Sequence, residues 1–422
     1  MRSGKFVPRH LKSLLIESLE SSPVTLLHGP RQCGKTTLCK EIGEDLGYTY
    51  FTFDSDEVRI SAQNDPNLFL RNCSERTILD EIQRVPQLSR NLKIADDRNR
   101  KAGMFLLTGS SNVLMMPDLA DALVGRMETL RLHPFSQQEI EQSQSKSFIE
   151  RLFSGDFPTC SAEALSTNLA QRIVLGGYPQ VLNLSSDRKR SNWLKNYVEN
   201  IISKDILDLS KIRSIEVLPK LLQSVAHLTG QLLNISDIGS SLQMNRNTTQ
   251  DYLTLLEYQF LIERLPAWYT NRLNRLIKTP KIHFGDTGIA CALLGLNAND
   301  LNEQRTLLGH LLETFVFQEL KKQASFSDQQ YSFFHFRDRD QVEVDLVIER
   351  GAFEIAGIEV KAGASIVNSD FKGLRKLKST CPDQFTYGAV LYDGEVCASF
   401  GNGMYMVPIR MLWESNPKPL SY

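Results

Sequence analysis

No run of about 18 apolar residues occurs in this 422-residue chain, so no membrane-spanning helix is expected. Met1 to Leu15 carries basic residues without a long apolar stretch, so a secretory signal is not expected either. Cysteine is sparse and dispersed: Cys33, Cys39, Cys73, Cys160, Cys291, Cys381 and Cys397, with no CxxC pair. That set argues against a disulfide framework and a cysteine-based zinc site, and a reducing, cytoplasmic setting is the natural expectation. An excess of one charge is lacking too. The 48 Lys and Arg nearly balance 49 Asp and Glu, for a formal net charge of −1. No global field therefore draws the chain to nucleic acid or anionic lipid, although a local basic patch still can. Internal repeats and low-complexity tracts are also missing. What remains is a globular composition, 41% hydrophobic and 23% charged. The length suits roughly two to four domains.

The first third alternates strand and helix patterns. Leu11, Leu14, Leu15 and Ile16 have helical spacing. Val24 to His28 is a short β-rich run ending at a glycine, and Thr37 to Leu46 reads as a helix. Further strands are expected at 48–53, 76–81, 104–109 and 128–132. Such alternation implies a parallel sheet covered on both faces, an α/β core over residues 1–135. After Pro134 the pattern becomes mostly helical over 136–232, and a compact helical module follows over 233–296. β-rich runs return at 331–336, 342–348, 357–360 and 387–392, within a terminal α/β segment 297–422. The stretch Asn297 to Glu303 has the composition of a linker.

Gly29-Pro30-Arg31-Gln32-Cys33-Gly34-Lys35-Thr36 is a complete GxxxxGKT phosphate loop between a strand and a helix. Its glycines let backbone N–H groups turn inward around phosphate oxygens, and the next helix, opening near Thr37, points its positive end at the same anion. Lys35 is expected to reach the β and γ phosphates, and Thr36 to hold Mg²⁺, which makes ATP with Mg²⁺ the expected ligand. Asp80 and Glu81 end an apolar strand. Asp80 is expected to bind Mg²⁺ and Glu81 to deprotonate the attacking water. Ser110 or Ser111, after the next strand, is placed either to touch the γ phosphate or simply to form a turn. Arg126 suits a finger on the transferring phosphate, in cis or across subunits of a homo-oligomer, or else a surface salt bridge.

On these residues the segment 23–136 resembles the AAA-type ATPases of bacteria and archaea that carry a distinctive C-terminal domain of unknown function. The matching stretches are LLHGPRQCGKTTL, TILDEIQRVPQL, FLLTGSSN and LVGRMETLRLHPFS. Downstream, GGYPQVL, WLKNYVENIISKDI, IHFGDTGIACALLG and GHLLETFVFQELKK match as well. The resemblance implies an ATPase core, with Lys35 on the phosphates, Thr36 and Asp80 on Mg²⁺, and Glu81 on the attacking water.

Residues 216–265 suit a winged helix-turn-helix: a first helix near Val217 to Leu228, a second capped by Asn234 or Ser236, and a third entered through Arg246-Asn247-Thr248-Thr249. The stretch Trp268 to Lys281 has basic residues, no acid and two aromatics at its start, as a phosphate-contacting hairpin would. The residues leave open a nucleic-acid module, with DNA favoured, and a protein-interaction module with a solvated basic loop.

Near the C-terminus, Glu313 lies on an amphipathic helix, Asp345 on a strand, and Glu359 and Lys361 two apart on the next strand and so on one face. This order suits a nuclease metal site, with the three carboxylates on Mg²⁺ or Mn²⁺ and Lys361 activating water. It resembles the restriction-endonuclease-like superfamily with its Asp…Glu-x-Lys motif. A basic helix, Phe371 to Ser379, suits a DNA-facing element. Cleavage, and a nuclease-like fold without cleavage, both stay open.

Overall fold

The computed structural model describes residues 7–92, 101–111, 125, 127–206, 215–414 and 418–419. Backbone contacts divide the chain into two units. The first comprises Met1–Phe135, Tyr178–Gln180 and Thr254–Leu261, and the second comprises the remainder.

In the first unit, β1 (Val24–His28), β2 (Thr49–Thr52), β3 (Thr77–Asp80), β4 (Phe105–Gly109) and β5 (Met127–Arg131) form one sheet in the order β2-β3-β4-β1-β5. Every neighbouring pair is parallel. Helices α1 (Leu11–Ser21), α2 (Lys35–Leu46), α3 (Asp56–Asn64) and α4 (Pro66–Arg71) accompany it. All residues of β1, β3 and β4 are buried. Burial on both faces is why these strands read as unbroken apolar runs and not as alternating ones. Val24, Leu26, Phe53, Leu79 and Leu107 share one core on a single face. Because the strands run parallel, His28, Asp80, Gly109 and Arg131 all arrive at the same edge of the sheet, where such folds bind ligands.

The second unit holds an eight-stranded sheet in the order β10-β11-β12-β13-β15-β14-β6-β16. These strands are β6 (Cys160–Ser161), β10 (Tyr331–Arg337), β11 (Glu343–Arg350), β12 (Glu354–Lys361), β13 (Phe385–Tyr392), β14 (Val396–Gly401), β15 (Met404–Pro408) and β16 (Lys418–Pro419). The four β-rich runs expected from sequence become β10 to β13. The hairpin of β14 and β15 is an addition to the strands expected from sequence; the outer end of β14 is exposed. A smaller antiparallel sheet has the order β7-β9-β8, from β7 (Gln231–Leu232), β8 (Ile262–Leu265) and β9 (Lys281–Phe284), and three helices accompany it: Leu218–His227 before β7, then Ile235–Ser241 and Arg246–Tyr258 between β7 and β8. Asn234, not Ser236, caps the second of these, accepting from the Ser236 and Asp237 amides.

Two expectations are corrected by the fold. Asn297 to Glu303 is not a linker: Ala298–Glu303 is a helix closed by a reciprocal cap between Asn297 and Asp300. The polar residues that look linker-like are the ones that satisfy orphan amides at a helix start. The basic stretch Trp268 to Lys281 is not an open hairpin either, since Arg272–Ile277 is a helix. Arg275 turns inward, with an N–H donated to the Tyr269 carbonyl at 2.7 Å and its guanidinium over Trp268 and Phe334. Glu349 on β11 neutralises it at 2.5 Å. Trp268 itself is buried in the core with Phe336, Val344, Phe371 and Leu374. Among the described residues no helix is long and apolar enough to cross a membrane.

Helix Lys372–Thr380 packs on this sheet through Gly373. A Cβ there would lie 2.0 Å from the Glu343 carbonyl oxygen and 2.2 Å from Glu359 Oε1. Gly373→Ala is therefore expected to cost on the order of 1–3 kcal/mol of stability, read as an earlier urea midpoint. An unchanged midpoint would show that the helix is free to shift away.

Candidate functional site

The phosphate loop joins β1 to α2 in the first unit. Gly29 has φ +153°, and a Cβ on it would stand 2.1 Å from the Leu132 carbonyl oxygen, so only glycine fits. Gln32 and Gly34 also have positive φ, at 59° and 107°. Alternating hands of this kind turn successive N–H groups toward one concavity. Lys35 is buried, and its ammonium donates to the Gly29 and Pro30 carbonyls at 2.9 Å each, so it lies across the loop it serves. Arg9, a residue to which the sequence pattern gives no role, braces the loop from outside. Its guanidinium donates to the Cys33 carbonyl at 2.8 Å and the His133 carbonyl at 2.6 Å, and stacks over Phe135.

Asp80 is buried at the end of β3 under three hydroxyls. Thr36 Oγ1 donates at 3.2 and 3.3 Å, Tyr50 Oη at 2.6 Å to Oδ2, and Thr108 Oγ1 to Oδ1. Glu81 follows in a left-handed conformation, φ 62°, which is uncommon for a residue with a side chain and clusters at functional sites. Its amide donates to Thr108 Oγ1 at 3.1 Å. Thr108 thus ties the Asp80 carboxylate to the Glu81 backbone. The Glu81 carboxylate accepts from Ser110 Oγ at 2.8 Å and from the Gln83 amide. Of the two candidate serines, Ser110 is therefore the one on Glu81. Ser111 Oγ is buried with no hydrogen-bond partner among the described residues. Arg126 lies outside the described residues. Arg31 and Thr37 lie on the loop and in the first turn of α2.

His28, the last residue of β1, is a further residue missed from sequence. It pairs in register with Gly109 and Arg131, and its ring meets Phe260 edge-on at 5.6 Å. Burial, then the charges of Arg131 and Lys35, press its pKa down to about 3, so the imidazole is neutral.

A hydroxyl and a carboxylate converging at the loop form a hard oxygen donor set, the kind that suits Mg²⁺. The concave loop amides and the buried Lys35 suit the phosphates of a nucleotide. The residues of the first unit therefore fit Mg²⁺-ATP.

In the second unit two of the four candidate nuclease residues, Glu313 and Asp345, meet a lysine that the sequence pattern assigns to the basic hairpin. Lys281, on β9 and buried, donates to Glu313 Oε1 at 2.7 Å and lies 3.5 Å from Asp345 Oδ1. Asp345 Oδ2 accepts the Val360 amide at 2.9 Å, and Lys361 stands 3.7 Å from Glu359. Burial lifts the Glu313 carboxyl to about 8, against the pull of Lys281 and with a push from Asp345. Burial also lowers Lys281, but Glu313 and Asp345 outweigh it and hold the amine protonated. Burial, then Asp345, raises Glu359 well above the carboxylate range. Among the described residues no three His, Cys, Asp or Glu side chains are grouped to hold a metal ion. On the basic helix, Lys376 lies 3.2 Å from Asp338, and Lys378 donates to the Asn402 carbonyl at 2.8 Å.

Removing one member of a buried pair strands the other. Lys281→Met is expected to lower stability by about 3–5 kcal/mol in urea unfolding, with Lys281→Met/Glu313→Leu recovering most of it. A single variant as stable as wild type would refute the pairing.

Residues 21–141 match the family model described as an AAA domain. Residues 166–300 and 308–412 match two domains of unknown function, DUF8612 and DUF4143. An uncharacterized protein of Mycobacterium tuberculosis is 27% identical over 389 residues, 92% of this chain and 80% of that protein. One from Methanocaldococcus jannaschii is 21% identical over 362 residues, 82% and 76% of the two chains. A solved Walker-type ATPase of Pyrococcus abyssi is similar at 17% identity and a TM-score of 0.40, over 69% of this chain and 97% of that one. The chain thus joins an AAA-type P-loop ATPase domain to a C-terminal DUF4143 domain of unknown function.

Proposed function

We propose that the first unit binds and hydrolyses ATP with Mg²⁺. The observation that carries the reading is the convergence of the Thr36 hydroxyl on both oxygens of Asp80 at the mouth of the phosphate loop. Loop amides and Lys35 bind the phosphates. Lys35 exchanges the Gly29 and Pro30 carbonyls for phosphate oxygens, a gain in charge pairing. Thr36 and Asp80 hold Mg²⁺, which supplies neutralisation of charge on the phosphates. Glu81 takes the proton of the attacking water after leaving Ser110 and Gln83. Arg126 is proposed as the finger on the transferring phosphate, in cis or from a second copy in a homo-oligomer.

The output of hydrolysis is proposed to act on nucleic acid, DNA before RNA. The order helix, short strand β7, two helices and then strands β8 and β9 is that of a winged helix, and Arg246 and Asn247 at the start of the third helix are exposed. In the C-terminal domain the geometry favours a nuclease-like fold that does not cleave. Lys281 already compensates Glu313 and Asp345, the carboxylates a metal would need.

Lys35→Ala is expected to abolish both tight ATP binding and turnover. Glu81→Gln is expected to keep binding and lose about 10²–10⁴ in turnover. Equal turnover in wild type and both variants, measured as phosphate release, would remove the site assignment. Incubation of linear, circular and single-stranded DNA with Mg²⁺ or Mn²⁺ is expected to leave it intact. Cleavage by wild type that disappears in Asp345→Ala and Lys361→Ala would restore the nuclease reading.

A further inference from the structure

Tyr50 takes no part in the proposed hydrolysis, yet its contact is specific. It lies on β2, the edge strand of the parallel sheet, paired with β3 so that Tyr50 stands beside Ile78 and Thr52 beside Asp80. Strand alternation places Tyr50 and Asp80 on the face that α2 covers. Its neighbour Phe51 points to the opposite face and packs on Phe69. From the α2 face the Tyr50 phenol donates to Asp80 Oδ2 at 2.6 Å, while Thr108 donates to Oδ1. Each carboxylate oxygen thus has its own fixed donor, and Thr36 Oγ1 sits nearly equidistant from both. The ammonium of Lys40, on α2, lies 4.6 Å over the Tyr50 ring. A cation on the face of a phenol draws electron density from it and strengthens the O–H as a donor.

We propose that Tyr50 is a positioning residue for the metal ion that accompanies the nucleotide: its phenol fixes the plane in which Asp80 faces Thr36. The inference rests on the Mg²⁺-ATP reading of the first unit. A buried carboxylate without this donor turns about its Cβ–Cγ bond, and the pairing of Asp80 with Thr36 is lost for part of the time. Partners of this outer kind set metal affinity by roughly 10–100-fold when removed. Thr108 holds the other oxygen, so the loss at Tyr50 is expected near the low end.

The test is the affinity of a fluorescent ATP analogue for wild type and Tyr50→Phe, each with EDTA and across a Mg²⁺ titration. Tyr50→Phe keeps the ring and removes only the hydroxyl. Its affinity without metal is expected to stay within about twofold of wild type, which also reports an intact loop. The Mg²⁺ concentration giving half of the metal-dependent tightening is expected to rise about tenfold. The Mg²⁺ midpoint for turnover should move with it, while turnover at saturating Mg²⁺ falls much less. A Mg²⁺-dependent wild type whose midpoint is matched by Tyr50→Phe would overturn the role of Tyr50 and leave the ATPase reading standing. So would a variant that loses metal-free binding, since the hydroxyl would then support the loop itself. A wild type that binds the analogue with no dependence on Mg²⁺ would overturn the metal reading and this inference with it.

Discussion

The Asp80 carboxylate is the point on which the first unit turns. Three chain segments reach the carboxylate of β3 through hydroxyl groups: the phosphate loop through Thr36, β2 through Tyr50, and β4 through Thr108. A charged group with 3% exposure is tolerable only when its lone pairs are satisfied, and three hydroxyl donors do so here. The same bonds set the geometry of the neighbouring glutamate. Thr108 also accepts the Glu81 amide, and so supports the left-handed turn that presents the Glu81 side chain to Ser110 and Gln83. The burial constraint and the candidate chemistry are therefore one arrangement.

The second unit meets the same constraint with a different solution. Its carboxylates, Glu313 and Asp345, are compensated by the ammonium of Lys281 from β9. Hydroxyls leave a carboxylate its charge and its capacity to bind a cation. A lysine at 2.7 Å occupies the carboxyl oxygen and supplies the cation itself. A single physical difference, the kind of donor that satisfies a buried carboxylate, separates a site suited to Mg²⁺ from one that carries its own cation.

Much of the framework was legible in the sequence. The loop, the Asp80-Glu81 pair, five strands of the first sheet and four of the second all stand out because each rests on contiguous residues with a local pattern. The misses have local causes as well. Asn297 to Glu303 has linker composition, but Asn297 and Asp300 are capping residues whose role shows only once a helix follows. The basic stretch after Trp268 looks solvent-facing because its acid partners, Glu349, Glu313 and Asp345, lie far along the chain. Ser110 and Ser111 could not be separated by pattern, since neighbouring residues of a turn differ only in which way they point.

Contiguous sequence by itself determined the phosphate loop, the apolar strand that ends in Asp80 and Glu81, and the Glu-x-Lys triplet on one strand face. These depend on backbone freedom at glycine, on hydrophobic periodicity and on the two-residue repeat of a strand, all of which act over a few bonds. Only the tertiary structure decided which groups complete them. Tyr50 and Thr108 reach Asp80 because parallel strands deliver distant residues to one edge. Lys281 reaches Glu313 because β9 is buried. No spacing rule encodes such contacts: the partners of a buried charge are chosen by packing and by the cost of leaving that charge unpaired.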